Sequence, residues 1–86
     1  MIDLRQLKED DVVCTTDGTQ RFYVFEGYPN VKSMGISMTD GGFFNACYKW
    51  NFSRFCTDNE KQEFFNELKM RGYAIDINKM RFKKIR

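Results

Sequence analysis

The residues best suited to chemistry are cations crowded at the carboxyl end. Residues 69–86 hold seven basic side chains (Lys69, Arg71, Lys79, Arg81, Lys83, Lys84 and Arg86) against one acid, Asp76. Residues 1–68 reverse the balance, with seven basic residues and eleven acidic ones, so a net charge of only +2 conceals a strong segregation along the chain. Clustered cations on one element are the footprint of phosphate-backbone binding, because they release counterions condensed on nucleic acid. Lys79, Arg81, Lys83, Lys84 and Arg86 are therefore the candidate nucleic-acid-binding residues. Two plainer roles compete. A terminal Lys-rich strand protects a sheet edge from pairing with other chains. The cations could also lie against the chain's own acidic segment and be neutralised there.

The other reactive residues argue against catalysis. The chain has no His, and so lacks the commonest general base and the commonest metal ligand. No nucleophile elbow, P-loop or dinucleotide fingerprint occurs. "TDGG" (39–42) is a Gly-rich turn without the Lys and following helix of a phosphate cradle. Glu9, Asp10 and Asp11 offer oxygen ligands for a hard cation, but read more simply as a charged turn before the first strand. Cys14, Cys47 and Cys56 are odd in number and widely spaced. They suit neither a disulfide framework nor a closed four-ligand zinc site, and read as small reduced hydrophobes. A Cys14–Cys47 bridge is the minor alternative. Cys56 lies beside a helix N-terminus, a position that lowers a thiol pKa, but no base accompanies it. The expectation is a non-enzyme with no cofactor and no metal.

These residues must be held by a small fold. Eighty-six residues make one domain, whose stability should be roughly 4–13 kcal/mol. Nine Phe, four Tyr and one Trp supply large apolar area for its core. "DVVCTT" (11–16) and "QRFYVFEGY" (20–28) read as strands, with Asp17-Gly18 suited to a tight primed turn between them. Pro29 ends the second. "VKSMGISM" (31–38) resumes extended structure, and Gly35 inside it suggests a bulge or bend. After the "TDGG" turn, "FFNACYKWNF" (43–52) alternates, placing Phe44, Ala46, Tyr48, Trp50 and Phe52 on one face. Such a stripe could stack bases, but Lys49 points away and the pattern is more simply that of a core strand.

A helix follows. Thr57 and Glu60 fit a capping box, acids fill the first turns, and Glu67 and Arg71 form a favourable i,i+4 pair. Phe64, Phe65 and Leu68 make the inward stripe, and Gly72 stands where the helix should stop. "YAIDI" and "MRFKKI" then read as a closing hairpin, its turn centred on Asp76–Lys79 with Asn78 tolerant of unusual φ. The predicted fold is α+β: a small antiparallel sheet of four or five strands, one helix over about 58–71 and a C-terminal β-hairpin. An SH3-like curled sheet and an open sheet are both compatible with the pattern.

The segment Thr57–Ile85 resembles a recurring tail of small uncharacterised proteins from bacteriophages and integrated elements of gut bacteria. Thr57, Asp58, Glu60, Lys61, Phe65, Leu68, Gly72, Tyr73, Asp76, Lys79 and Ile85 carry the likeness. Ile75 departs from it, standing where the pattern carries Trp. The resemblance covers about a third of the chain and implies a mobile-element origin and no particular chemistry.

Three functional classes fit. The first is a non-catalytic nucleic-acid or nucleoprotein module using the C-terminal cations. The second is an accessory or inhibitor of a host protein, docking through acidic residues 9–11 and 58–67 or a sheet edge. A homodimer through the aromatic sheet face is the third. The N-terminus is charged, and no stretch approaches the ~18–20 apolar residues of a membrane span. The sequence thus predicts a soluble, cytoplasmic protein.

Overall fold

The β-branched and aromatic runs of the first half become strands. The computed structural model describes residues 2–39, 42–44 and 53–85. A short 3-10 turn, Leu4–Gln6, precedes strand β1 (Val12–Thr15), β2 (Gln20–Glu26), β3 (Lys32–Ser37), β4 (Phe43–Phe44) and β5 (Ser53–Phe55). Helix α1 (Asp58–Met70) follows, then β6 (Tyr73–Asp76) and β7 (Arg81–Lys84). The first five strands form one antiparallel sheet in the order β4-β3-β2-β1-β5, and β6 and β7 form a separate antiparallel hairpin. The α+β class, the single described helix and the closing hairpin are as the sequence predicts. No described helix is long and apolar enough to cross a membrane.

Strand β5 is an addition to the predicted elements. It returns to pair with β1, placing Val13 opposite Phe55 and Cys14 opposite Arg54. Of the strand expected over 43–52, Phe43–Phe44 is observed. Residues 45–52, with Cys47, Tyr48, Trp50 and Phe52, lie outside the described residues, as does Arg86.

Alternation along the strands sends apolar side chains to both faces of the sheet. On one face Val12, Tyr23, Phe25 and Ile36 pack with Phe64 and Leu68 of α1 and Phe82 of β7. On the other, Val13, Phe22 and Val24 are covered by Ile2 and Leu7 of the N-terminal segment. Both clusters are almost wholly excluded from water, with Val13, Val24, Ile36 and Phe64 fully buried.

The helix forms where its local chemistry demands. Thr57 accepts the N–H of Glu60, and the Glu60 carboxylate accepts that of Thr57, so the expected capping box is complete. Arg71 donates to Glu67 through Nε at 2.8 Å and Nη2 at 2.7 Å. Gly72, at φ +82°, turns the chain out of the helix and into β6.

Three turn readings are corrected. The β1–β2 connection is not a two-residue primed turn. Gly18 donates to the Thr15 carbonyl, and among the turn residues Gly18 alone has positive φ, which leaves a longer loop pinned by Asp17 Oδ1. Gly35 is not at a bulge, for it pairs regularly with Phe22; the irregularity falls between Val24 and Glu26. A Cβ on Gly35 would collide with the Phe22 ring and approach the Arg21 carbonyl to 2.6 Å, so a close approach explains the glycine. In the β6–β7 turn the residue at positive φ is Met80 (51°), not Asn78, and its N–H donates to the Ile77 carbonyl at 3.3 Å.

Candidate functional site

The register of the C-terminal hairpin sorts its cations. Tyr73 faces Lys84, Ala74 faces Lys83, Ile75 faces Phe82 and Asp76 faces Arg81. Pleating therefore puts Tyr73, Ile75, Phe82 and Lys84 on one face and Ala74, Asp76, Arg81 and Lys83 on the other. The first face meets the core. Phe82 lies about 6 Å, centroid to centroid, from the rings of Phe25, Phe43 and Phe64, and Tyr73 meets Phe43 edge-on at 5.0 Å. The Ile85 N–H donates to the Gly72 carbonyl at 2.7 Å and ties the end of β7 to the end of the helix. Asp76 Oδ1 accepts the Lys79 N–H at 3.2 Å and shapes the turn.

The outer face is left to solvent. Lys79, Arg81, Lys83 and Lys84 are all exposed, while Arg86 lies outside the described residues. An open hollow of about 610 Å³ runs along the hairpin, with Ile77 and Ile85 as apolar walls and Asp76, Lys79 and Lys83 as charged ones. The ion pairs of the described residues use other cations: Arg5 with Asp3, Arg21 with Glu63, Arg54 with Glu60, Lys61 with Asp10 and Arg71 with Glu67. Among the described residues, no carboxylate lies within ion-pair distance of Lys79, Arg81, Lys83 or Lys84.

The acidic half is largely occupied by itself. Glu60, Glu63 and Glu67 each hold an arginine. Asp10 accepts the Tyr23 hydroxyl at 2.9 Å and lies 3.8 Å from Lys61, while Asp11 accepts the Lys8 N–H at 3.0 Å. Burial and the adjacent Asp10 push the Tyr23 phenol well above its usual range. The run 9–11 is thus a charged turn stitched to β2, through Asp10 N–H to the Val24 carbonyl and Val24 N–H to the Asp11 carbonyl.

Two arrangements were not legible in the residues alone. Arg21 is buried, and its guanidinium donates to the carbonyls of Gly18 and Glu60 and to the Glu63 carboxylate, clamping the β1–β2 loop to α1. The β1–β5 pairing also brings Cys14 and Cys56 together beside Glu60, with the ligand atoms of all three within 4.8 Å of one another. Cys14 is fully buried and Cys56 half-buried. Burial first, and then the adjacent Cys14, pushes the Cys56 thiol up despite the nearby helix N-terminus. Burial raises Cys14 as well. Two soft sulfur ligands and one carboxylate oxygen are a donor set for a thiophilic cation.

No protein-family model, no curated protein and no solved structure matches this chain.

Proposed function

We propose that this chain is a small non-catalytic binding module, working in the cytoplasm, that contacts nucleic acid or nucleoprotein through Lys79, Arg81, Lys83, Lys84 and Arg86. One observation carries the reading: Lys79, Arg81, Lys83 and Lys84 stand exposed and, among the described residues, without a carboxylate partner, while arginines elsewhere hold the chain's acids. Cations left solvated keep their full attraction for phosphate, and binding releases the counterions of the nucleic acid. Phosphate contacts position a protein without reading bases, so the expected binding is largely independent of sequence. Packing of Phe82 against three rings gives the cations a fixed platform.

Docking on a host protein through residues 9–11 and 58–67 has less support, because Glu60, Glu63, Glu67 and Asp10 already face cations of the same chain. The return of β5 to β1 supports an SH3-like curl of the sheet, and the Thr57–Ile85 pattern supports a mobile-element origin.

The test is chromatography on heparin and on immobilised duplex DNA across a salt gradient. Retention should fall steeply with salt, and replacing Lys83, Lys84 and Arg86 by Ala should weaken it for all DNA sequences alike. A chain that neither matrix holds at low salt overturns the proposal.

A further inference from the structure

We infer that Cys14, Cys56 and Glu60 form a binding site for a thiophilic divalent cation of the zinc class. The three ligands come from β1, from the β5–α1 junction and from the first turn of α1. The Cys56 N–H donates to the Val12 carbonyl, and Cys14 lies opposite Arg54, so the two thiols are diagonal neighbours on one face of the sheet. The two sulfurs and a Glu60 carboxylate oxygen form a triangle no wider than 4.8 Å.

The geometry favours an atom between the sulfurs over a bond joining them. Zinc holds sulfur at ~2.3 Å and oxygen at ~2.0–2.2 Å, so tetrahedral ligand atoms are spaced roughly 3.4–3.8 Å apart. From its widest possible separation the triangle reaches that spacing by contracting about 1.0–1.4 Å. A disulfide needs sulfurs ~2.05 Å apart and Cα atoms within ~6.8 Å, whereas diagonal cross-strand pairs stand roughly 7–8 Å apart.

Charge and lone pairs also fit. Two thiolates and one carboxylate around a divalent cation leave one negative charge, and the Arg54 guanidinium on Glu60 balances it. A carboxylate offers roughly four lone-pair positions. Arg54 takes two and the Thr57 N–H one, which leaves one for the cation. Arg54 thereby orients the ligand, as outer partners do in metal centres. On binding, the two S–H bonds break, two metal–sulfur bonds form and two protons pass to solvent. Water fills the fourth position. Entry is from the side of Cys56 and Glu60, since Cys14 is fully enclosed.

The probe is cobalt(II) chloride added to the full chain under reducing conditions, read by absorbance. One ion per chain should produce a sulfur-to-cobalt charge-transfer band and the strong visible bands of tetrahedral cobalt, and zinc should abolish both. Below the thiol pKa values, apparent affinity should rise ~100-fold per pH unit, because two protons leave. Cys56→Ser should lose the charge-transfer band while keeping a native far-ultraviolet spectrum, Cys47→Ser should keep the band, and Arg54→Ala should weaken binding about 10–100-fold. Cys14→Ser sits in a fully enclosed position, so the half-buried Cys56 decides the matter if that variant fails to fold. Absence of the band in the unaltered chain, or its survival in Cys56→Ser, overturns the inference.

Discussion

Glu60 grips Arg54 with both carboxylate oxygens, at 2.6 and 2.7 Å, and receives the Thr57 N–H at 2.9 Å on one of them. One side chain thus caps α1 and fastens its first turn to β5. The Arg54 hydrogen bonds first, then that of the Thr57 backbone, hold the Glu60 pKa at about 2, against 4.5 for an unperturbed glutamate.

A pKa lowered by folding stabilises the native state above the unfolded value, and the contribution is lost as pH falls through the folded one. The Glu60 contribution is therefore complete above about 4.5 and drains away toward about 2. Urea midpoints of the parent chain and Glu60→Gln, measured across that range, should converge as the solution is acidified. A separation that stays constant would show that Glu60 is not the titrating group. Thr57→Ala, which removes the reciprocal cap, should cost about 1 kcal/mol at neutral pH.

Arg21 should prove more demanding than a surface arginine. It is 8% exposed and serves two backbone carbonyls and one carboxylate. Arg21→Ala should cost roughly 2–3 kcal/mol, since hydrogen bonds made by a charged group are worth ~1.5–3 kcal/mol and a cavity adds to the loss. Arg21→Lys should recover only part of this, because an ammonium cannot reproduce the planar fork. Chemical denaturation of the three chains checks the order.

Gly35→Ala tests the crossing with Phe22. The added methyl has no room against that ring, so destabilisation of roughly 1–3 kcal/mol is expected, as for overpacked cores. Phe22→Leu in the same chain should relieve part of it. Additive losses in a double-mutant cycle would rule out the clash as the cause.

The hairpin register divides the cations functionally. Arg81 and Lys83 share the outer face, whereas Lys84 alternates with them on the face of Phe82. Under the nucleic-acid proposal, Arg81→Ala with Lys83→Ala should lower the slope of log affinity against log salt by about 2, roughly one per phosphate contact. Lys84→Ala should change it less. Equal effects from both faces would indicate diffuse attraction in place of an oriented surface.

The helix and the final hairpin were readable because their signals are local. Thr57, Glu60 and Gly72 act within a turn of where they stand, and Phe64 and Leu68 follow the helical period. What escaped depends on partners distant in the chain. Gly35 reads as a bulge or bend in the sequence because its true reason is a ring on the neighbouring strand. The meeting of Cys14 with Cys56 follows from β5 returning to β1, which no short pattern announces. Arg21 resembles any strand cation until the helix lies over it. The basic cluster was visible as composition, but its division into two faces needed the register.

The two apolar faces of the central sheet have a practical consequence. Because Ile2 and Leu7 seal one side while Phe82 seals the other, the segment carrying Arg5 and the basic hairpin lie on opposite sides of the central sheet. A fluorophore installed at Arg5 would report tumbling without touching bound polyanion, whereas one at Lys79 would sit in its path. Comparing quenching at the two positions would orient any complex before its partner is known.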